Sequence, residues 1–160
     1  MSFEIRPARP ADAAQIHRFI NELAAYEKLA HEAVATAEDL REQLFPATGS
    51  PAARCVIAWL DDKPVGFALF YYTFSTFVGR KGIHLEDLFV SLEHRGHGYG
   101  KALLLHLAQI ARDEDCGRLE WAVLDWNQPA IDFYERLGAA RMTGWTTCRL
   151  DRPALDKLTG

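Results

Sequence analysis

The run Arg95-Gly96-His97-Gly98-Tyr99-Gly100-Lys101 limits what this chain can fold into more than any other segment. It lies between an apolar stretch of strand composition, residues 83–90, and residues 99–114, where Leu103, Leu104, Leu107, Ile110 and Ala111 recur at helical spacing. Glycine accepts left-handed backbone and lets a ligand come close, while free amides and the positive dipole end at a helix start favour an anion. The turn therefore reads as a cradle for a phosphate-bearing ligand, with a plain glycine-rich connector as the alternative. Two common phosphate folds fit poorly. Ala102 follows Lys101 where a nucleoside-triphosphatase loop needs a hydroxyl for magnesium, and the glycines come after several strands with no repeated strand-helix-strand unit around them.

The rest of the chain reads as alternating elements. A short strand at 3–6 stops at Pro7, and Ile16, Phe19, Ile20 and Leu23 predict a helix running to about Lys28. Thr36 with Asp39 three residues later marks the start of a second helix over 37–45. Residues 54–60 and 65–73 are strands joined through Asp61-Asp62-Lys63-Pro64. After the helix at 99–114, Gly117 supplies a stop, and a strand is expected at 118–124. Asn127 caps a helix over 129–137, Gly138 ends it, and a last strand is expected at 145–150. This order predicts a single α/β domain over 1–160, with a mixed sheet and helices on both faces.

With 160 residues, 49% hydrophobic and 25% charged, the chain has room for one sizeable core and is not the composition of a disordered protein. The formal charge of −4 offers little attraction for a phosphate backbone, so nucleic acid is not an expected partner. Residues 1–10 lack the apolar stretch of a secretory signal, and no run approaches the roughly 20 apolar residues of a membrane-spanning helix. Three cysteines without a close pair suggest reduced thiols in a cytoplasmic protein, and six scattered histidines suggest no metal site.

Two residues have chemistry worth weighing. Glu86 interrupts an apolar strand, where burial and the neighbouring Asp87 would raise its proton affinity and suit it to act as a base; a salt-bridged structural acid is the alternative. Strand alternation places Glu86 and Asp87 on opposite faces. Tyr134 sits one turn after Ile131 on a short helix, where it is either a core tyrosine or a phenol placed to donate a proton.

Arg95, Gly98 and Gly100 fit the acetyl-CoA motif of the GNAT acetyltransferase superfamily, which the chain resembles over nearly its whole length. Ile5-Arg6-Pro7-Ala8, the segment Glu22 to Glu27, Leu85-Glu86-Asp87, Trp126-Asn127 and the segment Phe133 to Ala139 resemble its spermidine/spermine (diamine) branch. The resemblance implies a mostly antiparallel sheet splayed in the middle, with the cofactor's pantetheine arm in the opening. It implies that Leu88, Phe89 and Val90 pair with that arm, that Arg95 and Gly96, His97, Gly98, Tyr99, Gly100 and Lys101 form the pyrophosphate loop, and that Asn127 and Ala130 lie nearby. Tyr134 would protonate the departing thiolate and Glu86 would deprotonate the amine, directly or through water, without an acyl-enzyme.

Tyr26, Glu27, Glu86, Asp87 and Asp125 would form an acidic, aromatic-edged entrance for an amine. Ser75 and Phe77 stand where the polyamine enzymes carry an acid and a tryptophan, and Thr143 replaces an acid before Gly144-Trp145. Ser75-Thr76 and the segment Val123 to Asn127 look more like the sister group that acetylates thialysine, with Ser75 at the acceptor site. The expected activity is acetyl transfer to a small primary amine by a homodimer; acetylation of a protein amine and non-catalytic acyl-CoA sensing are the alternatives.

Overall fold

The computed structural model describes all residues 1–160, in two compact units, Met1–Ala122 and Val123–Gly160. The first unit carries a five-stranded sheet in chain order: β1 (Phe3–Pro7), β2 (Arg54–Leu60), β3 (Lys63–Ser75), β4 (Arg80–Val90) and β5 (Leu119–Trp121). The first four strands pair antiparallel, and β5 joins β4 in parallel. Three helices belong to this unit: α1 (Ala13–Tyr26), α2 (Ala37–Leu44) and α3 (Tyr99–Asp113). The start of α2 is the reciprocal cap expected of Thr36 and Asp39: the Asp39 amide donates to Thr36 Oγ1 at 3.1 Å and the Thr36 amide to Asp39 Oδ2 at 2.8 Å.

Alternation along the strands sorts the core into two layers. Ile16 and Phe19 of α1 and Leu44 of α2 pack on Cys55, Ile57, Phe67, Leu69 and Phe89. The Phe19 ring stacks on Phe67 with centroids 5.4 Å apart and meets Phe89 at 6.4 Å. Residues one step away in the strands, such as Ala68 and Val90, point to the other face, where Val90 Cγ2 lies 3.8 Å from the position of a Cβ on Gly100 of α3. Helices thus cover both faces.

Gly66 of β3 pairs with Val90 of β4: a Cβ there would stand 2.6 Å from the Phe89 carbonyl oxygen and 3.2 Å from Val90 Cα. Both obstacles are backbone and cannot rotate aside. Gly66→Ala is expected to cost about 1–3 kcal/mol in denaturant melts, by forcing two paired strands apart. An unchanged midpoint would show that the strands separate freely at this point.

The second unit holds α4 (Gln128–Arg136) and α5 (Arg152–Thr159). Two expectations are corrected here. The strand expected at 118–124 is only Leu119–Trp121, because β5 follows β4 for three residues and then leaves the sheet. Residues 145–150 form no strand: they have no ladder partner, and Trp145 is 83% exposed. Helix α5 was not anticipated, although its signal was present. Asp151 accepts from the Ala154 amide at 3.0 Å, and Pro153 occupies the first turn. No helix is long and apolar enough to cross a membrane.

Candidate functional site

The glycine turn has the backbone geometry its sequence demands. Gly96 and Gly98 both adopt φ of +82°, and left-handed Gly98 is the N-cap of α3. A Cβ on either would meet nothing within 4 Å, so the surface above the turn is open and glycine holds it open. The first turn of α3 carries no acidic residue, and the exposed Lys101 adds a positive charge to free amides. His97 and Tyr99 stack on each other at 5.6 Å, and Tyr99 stacks on Phe3 at 4.5 Å, which anchors the turn from its sides. Open space, main-chain donors and a cation suit a diphosphate such as that of coenzyme A.

The strand leading into this turn has an unpaired edge. β4 pairs with β5 only at Ile83, His84 and Leu85, opposite Leu119, Glu120 and Trp121. From Glu86 through Leu88, Phe89 and Val90 the β5 side of β4 has no strand against it, which is the splay expected of the sheet. Its main-chain groups are available to an extended ligand.

At the start of that edge the ladder is irregular. Leu69 of β3 lies opposite Asp87 and Phe70 opposite Leu85, so Glu86 is an extra residue in a β-bulge. The bulge corrects the expectation that Glu86 and Asp87 lie on opposite faces. Asp87 shares the α1 face with Phe89, whereas Glu86 is exposed and not buried as expected, with its Oε2 3.5 Å from His84 Nε2; the His84 ring stacks on Tyr71 at 4.9 Å. Burial pushes the Asp87 carboxyl up to about 7, with Glu86 and Glu27 adding repulsion. Burial raises Glu27 as well, and Glu86 adds to it. The same two causes, in the same order, raise the Tyr71 phenol. Glu27 caps the C-terminus of α1, where the helix dipole also disfavours negative charge. Three mutually repelling carboxyl groups gather negative charge at this point, an arrangement that suits a cation.

The Arg95 side chain turns toward α1. Its guanidinium carbon stands 4.4 Å from the Tyr26 ring centroid and 5.2 Å from that of Phe89, and its Nε–H donates to the Val90 carbonyl at 2.9 Å. The side chain is committed to the α1 face. The structure thus brings Tyr26, Glu27, Glu86, Asp87 and Arg95 together along one face. His84 lies beside the acids, as its position next to the cleft in the sequence suggested, whereas Tyr71 and the Arg95 ring contacts were missed from sequence.

The other candidates have local contacts of their own. Ser75 is buried in the β3–β4 turn, where its Oγ accepts from the Val78 amide at 3.2 Å and it pairs with Arg80, about 20 Å of strand from Glu86. It holds a turn and lies apart from the three acids. In the second unit, exposed Asp125 precedes Asn127, which caps α4 by accepting from the Ala130 amide at 3.4 Å. Half-buried Tyr134 packs against Phe133 with centroids 5.3 Å apart. Cys55 is buried, and that burial drives its thiol far from ionisation, which removes it as a nucleophile.

This combination of splayed sheet, glycine turn and adjoining acids is that of an acyltransferase. Residues 17–139 match the acetyltransferase (GNAT) family, and the chain belongs to that family. It is 40% identical over 159 residues to a thialysine N-epsilon-acetyltransferase of Caenorhabditis elegans, covering 98% of this chain and 96% of the relative. An L-ornithine N5-acetyltransferase of Arabidopsis thaliana is 31% identical over 201 residues, covering 99% and 88%. Among solved structures, an integron cassette protein from the mobile metagenome of Vibrio cholerae superimposes with a TM-score of 0.80 at 29% identity, over 99% and 98% of the two chains.

Proposed function

We propose that residues 1–160 act as one acetyl-CoA-dependent catalytic domain that acetylates the terminal amine of a small amino compound of the thialysine, lysine or ornithine type. The observation that carries this reading is the unpaired stretch of β4 from Glu86 to Val90, with an open glycine turn at one end and three carboxylates at the other. The full-length similarity to acetyltransferases of thialysine and ornithine supports the acceptor class. Bound acetyl-CoA supplies an activated acyl thioester. In this reading Leu88, Phe89 and Val90 align the pantetheine arm through their main chain, and Gly96, His97, Gly98, Tyr99, Gly100 and Lys101 hold the diphosphate. Asn127 and Ala130 complete the cofactor's contacts.

An alkyl amine has a pKa near ~10.4 and arrives protonated, so it is attracted to Glu27, Glu86 and Asp87 and must lose its proton there before it attacks. Glu86 accepts that proton, directly or through water, and a main-chain amide at Phe89 stabilises the oxyanion. Tyr134 returns a proton to the departing thiolate, so the transfer is direct and passes through no acyl-enzyme. Asp125 adds negative charge for the acceptor, and the protein works as a cytoplasmic homodimer. Acetyl-CoA consumption across thialysine, lysine, ornithine, putrescine and spermidine tests the reading. The amino acids are expected to have the highest kcat/KM; absence of turnover with every amine would refute it.

A further inference from the structure

The acceptor face of β4 carries opposite charges at a fixed spacing. Asp87 and Phe89 are two residues apart on the same face, about 7 Å of strand rise, and Glu27 of α1 adds to the field at Asp87. At the Phe89 end stands the half-buried Arg95, its guanidinium over the rings of Tyr26 and Phe89 and its Nε–H engaged by the Val90 carbonyl. These three contacts fix the guanidinium and use only one donor. The two Nη groups have no hydrogen-bond partner in the protein and keep the fork geometry that pairs with a carboxylate. The positive group is thus held over Phe89, two residues along the strand from Asp87.

We propose that Arg95 is a specificity residue of the acceptor site: its Nη groups bind the carboxylate of an amino-acid acceptor while Glu86, Asp87 and Glu27 hold the terminal ammonium at the other end. This rests on the reading of the chain as an amine acetyltransferase and extends it by naming what the far end of the acceptor must carry. A polyamine brings a second cation to that point and meets repulsion; an amino acid brings a carboxylate and gains a charge-assisted pair. The Tyr26 and Phe89 rings serve as the platform that orients the guanidinium, so their contribution is to pre-organise it.

The experiment compares L-lysine with L-lysinamide, and L-ornithine with its amide, pairs that differ only in replacement of the carboxylate by a neutral amide. The unmodified protein is expected to favour each free acid in kcat/KM by about tenfold or more. In Arg95→Gln that preference is expected to fall to about one, with Arg95→Lys recovering part of it through a point charge without the fork. Equal use of acid and amide by the unmodified protein would overturn the proposal, whether or not the variants fold. So would an Arg95→Gln variant that keeps the preference and loses only affinity for acetyl-CoA, since the guanidinium would then serve the diphosphate. Failure of the underlying reading looks different: no amine, acid or amide, would consume acetyl-CoA.

Discussion

Tyr134→Phe is expected to reduce kcat by about 100-fold or more while leaving the dissociation constant for acetyl-CoA within a few-fold. The substitution removes one hydroxyl and keeps the ring that meets Phe133, so α4 retains its apolar side, with Ile131 buried and Asn127 capping its start. In the proposed mechanism the tetrahedral intermediate expels a thiolate that takes its proton from Tyr134, and without that donor the sulfur leaves as a bare anion. That unneutralised charge raises the barrier, because a partly buried site screens charge less than water does. Steady-state kinetics at saturating amine, with a separate titration of coenzyme A, separates chemistry from binding. An unchanged kcat with weakened cofactor binding would make Tyr134 a packing residue and would require another proton donor.

The parts of the site that depend on local chemistry were legible in the sequence. The glycine turn, the boundaries of α3 and the cap of α2 follow from backbone preference and from side chains that satisfy amides three residues away, and the structure shows each of them. The parts that depend on pairing were not. Nothing in Leu85-Glu86-Asp87-Leu88 marks Glu86 as an extra residue. A bulge exists only relative to a partner strand, and it appears when Leu69 is seen opposite Asp87 and Phe70 opposite Leu85. That single insertion breaks the alternation that had separated the two acids.

Residues 145–150 give the opposite lesson. Trp145, Thr146, Thr147 and Leu150 are strand formers by composition, yet β-propensity describes fit to a half-buried pleated surface, and without a neighbouring strand it has nothing to act on. The Arg95 contacts join the end of α1, the end of β4 and the loop after it, segments far apart in the chain. Spacing within any one of them carries no trace of the meeting.

The second large effect concerns Asp87, where stability and function oppose each other. Its carboxyl titrates at about 7 in the folded protein, against 3.8 for an exposed aspartate, so between these values the folded state holds a proton that the unfolded state has released. Stability therefore falls as pH rises through that window, and above about pH 7 the full cost of a buried charge is present. Asp87→Asn keeps the shape and removes the charge. It is expected to gain about 2–4 kcal/mol over the unmodified protein at pH 8, and little below pH 4, where both states of the aspartate are protonated. Denaturant melts at pH 4, 6 and 8 measure the difference, and a variant less stable at pH 8 would mean that the carboxylate is held by interactions stronger than its burial. In the proposed acceptor site the same substitution removes a partner for the incoming ammonium, so KM for the amine is expected to rise about tenfold at pH 8. In the unmodified protein KM is expected to fall between pH 6 and 8 as Asp87 ionises, and in Asp87→Asn that pH dependence should flatten. A carboxylate that costs stability when its site is empty and is neutralised when the amine arrives gives the cation a binding advantage that a neutral analogue of the same shape cannot obtain.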